Sequence, residues 1–441
     1  MCTINDNYLR PKKATWLQRM YRTPMEQRTE LGLWRGKQAT ILPLRELDDP
    51  DLLFGRGGVL DEQEQYVPLS AFDTRINYTY PHEEPEYREE TVVYCGYLVN
   101  HWGHFLVEAV TRLWYALEQD STVDKYVFFF DENQERSIQG NYLEFFQLLG
   151  IGDKVEVINR PTRYREVIVP EPAFFCMRYS SAQFLAIFDR IADNISVDPP
   201  WKPLEKIFFT RSSFAKGNNY DFGLESLDSF FRNNGFAVLA PETLTLSQMI
   251  YYIRHADQVA TISGSVHHNM LFGKNGQNLT IVERLIINDD HQVSINRVRD
   301  LQVTYVDANY HLYPVDTCGP YVVGYNHILE RYAGDTHMVP PDGEFLTKQY
   351  RDQCFRQYMH SYQDNYRYRW FMASWYAEIA DSLYEAYEDN YPPISGNIWT
   401  GICPSCANSA SSGTISSNGS SGSCGPLACF RANHKEGNHA H

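Results

Sequence analysis

The 441-residue sequence has no apolar run long enough to span a bilayer. Its most apolar stretches, near residues 98–117 and 206–210, are broken by polar residues or too short. A basic excess is also missing: 39 Lys and Arg stand against 55 Asp and Glu, a formal net charge of −16. That balance excludes a nucleic-acid coat, because phosphate backbones demand a basic surface. It leaves room for a local basic pocket around one small anion. The basic residues Arg10, Lys12, Lys13, Arg19 and Arg22 are not followed by an apolar segment of signal-peptide type, so the sequence reads as cytoplasmic. Five of the nine cysteines (Cys2, Cys95, Cys176, Cys318, Cys354) are scattered, as in a protein of a reducing compartment. What is present is core-forming material: 43% hydrophobic and 14% aromatic residues. The length suggests two or three domains.

Residues 1–90 read as an irregular N-terminal segment holding only short elements. From residue 91 strands and helices alternate. Strands are expected at 91–98, 126–130, 155–158 and 166–169, and helices at 101–119, 141–149 and 182–195. Asp198-Pro199-Pro200-Trp201-Lys202-Pro203 places three prolines in six residues, a stiff boundary. The alternation restarts with strands at 206–210, 236–239, 258–262, 279–282 and 303–306, and helices near 224–233, 245–256 and 266–273. This pattern predicts an α/β protein with two Rossmann-like halves, 91–198 and 204–330, each a parallel sheet covered by helices. A ligand would lie in the cleft between halves, outside the carboxyl ends of the strands. Residues 340–394 form a further helical segment rich in Tyr, Trp and Glu. The tail, 395–441, is Ser, Gly and Cys with too little apolar surface to order itself. Its Cys403, Cys406, Cys424 and Cys429 are compatible with free thiols, a zinc knuckle or a redox pair.

Four segments could carry chemistry. In Asn100–Glu108, a helix would place His101, His104, Glu108 and Arg112 on one face, with Leu106, Val110, Leu113 and Leu117 opposite. A His–Glu pair four residues apart suits a general base, and equally suits a solvated helix face. Thr210–Asn219 follows a strand, and Arg211 and Lys216 could hold a diphosphate. Ser263-Gly264-Ser265 leads a strand into an expected helix whose N-terminus would bind phosphate, with His268 and Asn269 in its first turns. The alternative is a plain turn with Ser265 as N-cap. Glu283 ends the next strand, where an acidic residue can accept ribose hydroxyls.

Together these segments resemble glycosyltransferase family 61. The resemblance rests on His101–Glu108, on Phe209-Thr210-Arg211, on Gly235–Glu242, on Leu244–Ile250 followed by His255-Ala256-Asp257, and on Ile262–Phe272. It covers about residues 91–310. Many members carry a His-Gly-Ala segment after the strand, where this chain reads Ser263-Gly264-Ser265-Val266-His267-His268-Asn269, and an expected second Arg appears as Lys216. The resemblance implies the glycosyltransferase B architecture and inverting transfer from a nucleoside-diphosphate sugar, usually without a metal and with no cofactor. A donor half would use Arg211, Lys216, Ser263, Gly264, Ser265, His268, Asn269 and Glu283. An acceptor half would supply His104 or Glu108 as base. The expected partners are a nucleotide-sugar donor and a glycan or lipid-linked glycan acceptor, with no nucleic acid, and peripheral association with a membrane-bound polysaccharide assembly complex. The rival readings are another glycan-modifying transferase, such as a pyruvyl transferase, and a non-catalytic nucleotide- or glycan-binding assembly protein.

Overall fold

The computed structural model describes residues 2–45, 55–71, 84–130, 138–196, 199–213, 221–285, 289–310 and 320–364. Lys216, Cys318, residues 365–394 and the whole tail with its four cysteines lie outside them. The first 60 residues supply strand β1 (Thr3–Tyr8), helix α1 (Pro11–Arg22) and strands β2 (Glu26–Arg28), β3 (Leu33–Arg45) and β4 (Gly55–Leu60). There follow β5 (Glu86–Tyr97), α2 (Trp102–Val107), β6 (Lys125–Phe129), α3 (Gly140–Leu149), β7 (Val155–Ile158) and β8 (Thr162–Pro170). The short β9 (Phe174–Phe175) and β10 (Tyr179–Ser181) lead to α4 (Ala182–Asp193). Beyond the prolines come β11 (Lys206–Phe209), β12 (Asp221–Phe222), α5 (Leu224–Asn233), β13 (Ala237–Leu239), α6 (Leu246–His255) and β14 (Gln258–Ile262). The described chain ends with β15 (Asn278–Glu283), α7 (Asp290–Val298), β16 (Gln302–Asp307), β17 (Tyr321–Val322), α8 (His327–Thr336) and α9 (Lys348–Asp364).

Two six-stranded sheets organise these elements. One, in the order β1-β16-β15-β14-β11-β13, is parallel throughout. Its central strands are apolar on both faces, as expected where helices cover both sides: Val259, Ala260, Ile262, Ile281 and Val282 are all buried. The other runs β4-β3-β8-β5-β6-β7. In it β3 is antiparallel to both its neighbours, while β8, β5, β6 and β7 are mutually parallel. A mixed sheet therefore replaces the parallel one expected for the first half.

The reason is the N-terminal segment, which corrects the reading of residues 1–90 as irregular. β3 and β4 extend the mixed sheet and β1 the parallel one. β1 is the polar string Thr-Ile-Asn-Asp-Asn-Tyr at a sheet edge, exposed or half-buried except for Tyr8, so no alternation advertises it. β4 turns tightly at Gly57, where φ is +66° and a Cβ would meet Phe129 Cζ at 2.6 Å. Only glycine fits there.

Residues 101–119 depart from a single helix. α2 ends at Val107, Glu108 breaks the run (φ −125°, ψ −55°), and residues 109–118 continue as a 3-10 helix. The tighter winding turns Arg112 off the expected face. Arg112 is buried instead, donating to the carbonyls of Pro170 and Ala71. Leu106, Val110 and Leu113 pack inward as expected. The expected helix 266–273 is a six-residue 3-10 turn, His267–Phe272.

The proline segment separates the chain stretches that build most of each sheet, yet no packing gap lies there. One buried cluster contains Phe105, Phe145 and Phe188 together with Phe208, Phe231 and Phe272. The ring of Phe272 lies 5.2 Å from that of Phe188 and 6.3 Å from that of Phe145. Among the described residues no helix is long and apolar enough to cross a membrane.

Candidate functional site

The carboxyl ends of β11, β14 and β15 converge on Gly264. Its φ of +139° suits glycine, and a Cβ placed there would sit 3.5 Å from both Arg211 Nη1 and Arg284 Nη2. The two guanidinium groups thus face one small residue, at the sheet edge where open α/β folds bind ligands. Both are pre-positioned. The Asp221 carboxylate, 1% exposed, accepts from Arg211 Nε at 3.4 Å and from Arg284 Nη1 at 3.1 Å. Arg284 Nε donates to the Ser263 carbonyl at 2.7 Å, its backbone N–H to Ser263 Oγ at 2.9 Å, and its guanidinium lies 5.2 Å from the Tyr321 ring centroid. Burial, and then the charge of Arg284, lower the pKa of Arg211. Arginine stays charged regardless. The two guanidinium groups share the Asp221 carboxylate, and Glu242 also acts on Arg211; paired guanidinium groups are the forked donors that phosphates take.

Histidines from both halves meet beside it. His101, the extended residue before α2, places Nε2 3.5 Å from Ser265 Oγ. Its ring centroid is 5.0 Å from that of His104. His104 Nδ1 lies 3.0 Å from Glu108 Oε1, so the expected pair forms despite the helix break. The same Glu108 oxygen faces His291 Nε2 at 3.6 Å. Desolvation favours the neutral acid, but hydrogen bonds from His104 and His291 outweigh it and hold the Glu108 pKa down to about 2. Asp289 caps α7, its Oδ1 accepting from the backbone N–H groups of His291 and Gln292 at 3.0 and 3.3 Å. Its other oxygen is 3.2 Å from both His267 Nε2 and His268 Nε2. Burial opposes ionisation of Asp289, yet the histidines, led by His268, keep its carboxyl well below the usual range. Burial likewise pushes the His268 imidazole down to about 4. His291 goes the other way, well above the ordinary imidazole value: burial disfavours its charge, and hydrogen bonds to Asp289, Cys176 and Glu108 override that. Among the described residues, two groups have donors close enough to share a cation, His267–His268–Asp289 and Cys176–Asp290–His291.

The structure therefore gathers His104, Glu108, Arg211, Ser263, Gly264, Ser265 and His268 in one region. Ser265 is not an N-cap; Val266 occupies that position. A six-residue 3-10 turn supplies no helix dipole for an anion, and the positive charge comes from the arginines. Asn269 ties the halves together, its Oδ1 accepting from Trp102 Nε1 at 2.7 Å. Glu283 is 2% exposed and engaged by Lys13 Nζ of α1 at 3.2 Å, so it is not presented to the cleft. Burial raises its pKa against the opposing charge of Lys13. Sequence reasoning missed Arg284, Asp221, Asp289 and His291. Arg284 directly follows the strand end that was read for Glu283, and the Asp289-Asp290-His291 start of α7 is an ordinary N-cap signal.

One comparison bears on this geometry. Residues 102–281 match the family model of glycosyltransferase 61. The match begins at Trp102, spans the His104–Glu108 pair, Arg211 and the Ser263–Asn269 turn, and stops just before Arg284. It supports a family 61 glycosyltransferase. The curated proteins include no match to this chain.

Proposed function

We propose that the protein is an inverting glycosyltransferase that moves a sugar from a nucleoside-diphosphate sugar to a glycan or lipid-linked glycan acceptor of surface-polysaccharide assembly. The observation that carries this reading is the paired approach of Arg211 and Arg284 to Gly264, one residue from the Ser265–His101 contact. In this reading the two halves are Rossmann-like and the second holds the donor. Its diphosphate lies over Gly264, with the arginines and the Ser265 hydroxyl as donors and Lys216 as a further cation. As the glycosidic bond breaks, negative charge grows on the leaving diphosphate, and fixed cations stabilise it without reorganising. His104, oriented by Glu108, takes the proton of the acceptor hydroxyl and makes the oxygen a nucleophile on the opposite face of the sugar.

The test is calorimetry with nucleoside diphosphates on Arg211→Ala and Arg284→Ala, alongside a transfer assay with a panel of nucleotide sugars. Each variant loses charge-assisted hydrogen bonds of about 1.5–3 kcal/mol, so affinity falls by roughly 10- to 150-fold. Wild-type affinity in two folded variants would sink the donor-site reading.

A further inference from the structure

The histidine-rich corner holds a donor set that sugar transfer by cations and a base does not use. His267 and His268 are side by side on the turn after β14, both buried, with ring centroids 4.8 Å apart. Their Nε2 atoms point at the same oxygen of Asp289, each 3.2 Å away, and all three donor atoms lie within 4.8 Å of one another. Ligands about 2.0–2.1 Å from a tetrahedral zinc ion stand roughly 3.3 Å apart, so each nitrogen–oxygen spacing is already that of a tetrahedron's edge. The carboxylate is fixed from behind by two backbone N–H groups of α7, which leave its second oxygen aimed at the imidazoles. The Nδ1 atoms of both rings are buried with no hydrogen-bond partner. Nothing on those atoms locks either ring with its proton on Nε2, so both Nε2 lone pairs are open to a cation once the proton moves to Nδ1.

We propose that His267, His268 and Asp289 bind a divalent cation of the zinc class, through two imidazole nitrogens and one carboxylate oxygen, with a fourth position open to water or an oxygen ligand. Two nitrogens and one oxygen suit zinc better than magnesium, which demands an oxygen octahedron. Metal-bound imidazoles usually donate their second N–H to an acceptor, and its absence here weakens binding by about 10- to 100-fold relative to a fully supported site. The site is thus one of moderate affinity, loaded at added rather than trace metal. It stands apart from the transferase reading, since binding is measured with no sugar donor present.

The test is titration of the full chain with zinc by calorimetry, and with cobalt(II) by visible absorption. The wild type is expected to bind one equivalent that Asp289→Asn and His268→Gln both remove. Asparagine still caps α7, so thermal unfolding should show Asp289→Asn folded. Cobalt at this site should give tetrahedral ligand-field bands without sulfur charge-transfer absorption. Thiolate binding by the tail would add a separate equivalent, insensitive to both substitutions. Unchanged stoichiometry and affinity in both variants would overturn the proposal. So would loss of the equivalent in Cys176→Ser but not in Asp289→Asn, which would place the ion in the neighbouring Cys176–Asp290–His291 group.

Discussion

One oxygen of Glu108 faces two imidazoles, those of His104 and His291, and this arrangement makes two predictions. In the proposed mechanism the carboxylate orients His104 as the base. His104→Ala should lower kcat by about 10²–10⁴-fold while leaving donor affinity unchanged, because the ring is asked to move a proton and not to hold phosphate. Single-turnover rates beside nucleotide titrations check this, and near-wild-type turnover would make the histidine merely structural. Toward stability, the Glu108 pKa falls from 4.5 to about 2 on folding. A depressed carboxyl pKa stabilises the fold above the unfolded value, and that contribution is lost as pH drops through the folded value. Glu108→Gln should therefore unfold at a lower temperature than wild type at pH 7, with the gap closing between about pH 4.5 and about pH 2. A gap that ignores pH across that window would mean the charge does not matter. Arg284 shows why residue-level reading stopped short. Its role depends on Asp221 and Tyr321, 63 and 37 positions from it in the chain, and no local pattern announces such partners.

Helix α6 starts against the other half of the chain. Thr245 caps it through Gln248, but the N–H groups of Leu246 and Ser247 are taken by the Glu144 carboxylate of α3, at 2.8 and 2.9 Å. An acidic group at a helix N-terminus satisfies orphan donors and meets the positive end of the dipole. Glu144→Ala should cost about 1–2 kcal/mol, read from denaturant midpoints at constant slope. No loss would show that water replaces the carboxylate without penalty. At this scale the sequence was most informative where periodicity was strong. The strands at 126–130, 258–262 and 279–282 and the helices at 141–149 and 224–233 stand close to where their patterns put them. It was least informative where burial comes from partners far along the chain. β1 is polar, β3 carries charge between its apolar residues, and the break at Glu108 joins two segments that both read as helix. The Ser263-Gly264-Ser265 turn follows β14 as its pattern suggested, and of the two guanidinium groups beside Gly264 the sequence pointed to Arg211 but not to Arg284.

Across the whole molecule, the shared core makes the two sheets one cooperative unit. Phe272, which follows the proline segment, is fully buried against Phe145 and Phe188, which both precede it. Phe272→Ala should cost about 3–5 kcal/mol. The variant and the wild type should each unfold in a single calorimetric transition reported alike by fluorescence and circular dichroism. Two separated transitions would show the halves to be independent.

The pairing of β1 with β16 also has a consequence during synthesis. Thr3 aligns with Gln302 in parallel register, a separation of 299 residues. At about 5–20 residues per second, the ribosome needs roughly 15–60 s to deliver the partner strand. Throughout that time the first strand and the helix carrying Lys13 have nowhere to dock, while most of both sheets is already emerging. β1 and α1 are thus made well before their partners and placed late. The buried contact of Lys13 with Glu283 can close only after the 270 positions that separate them have been added.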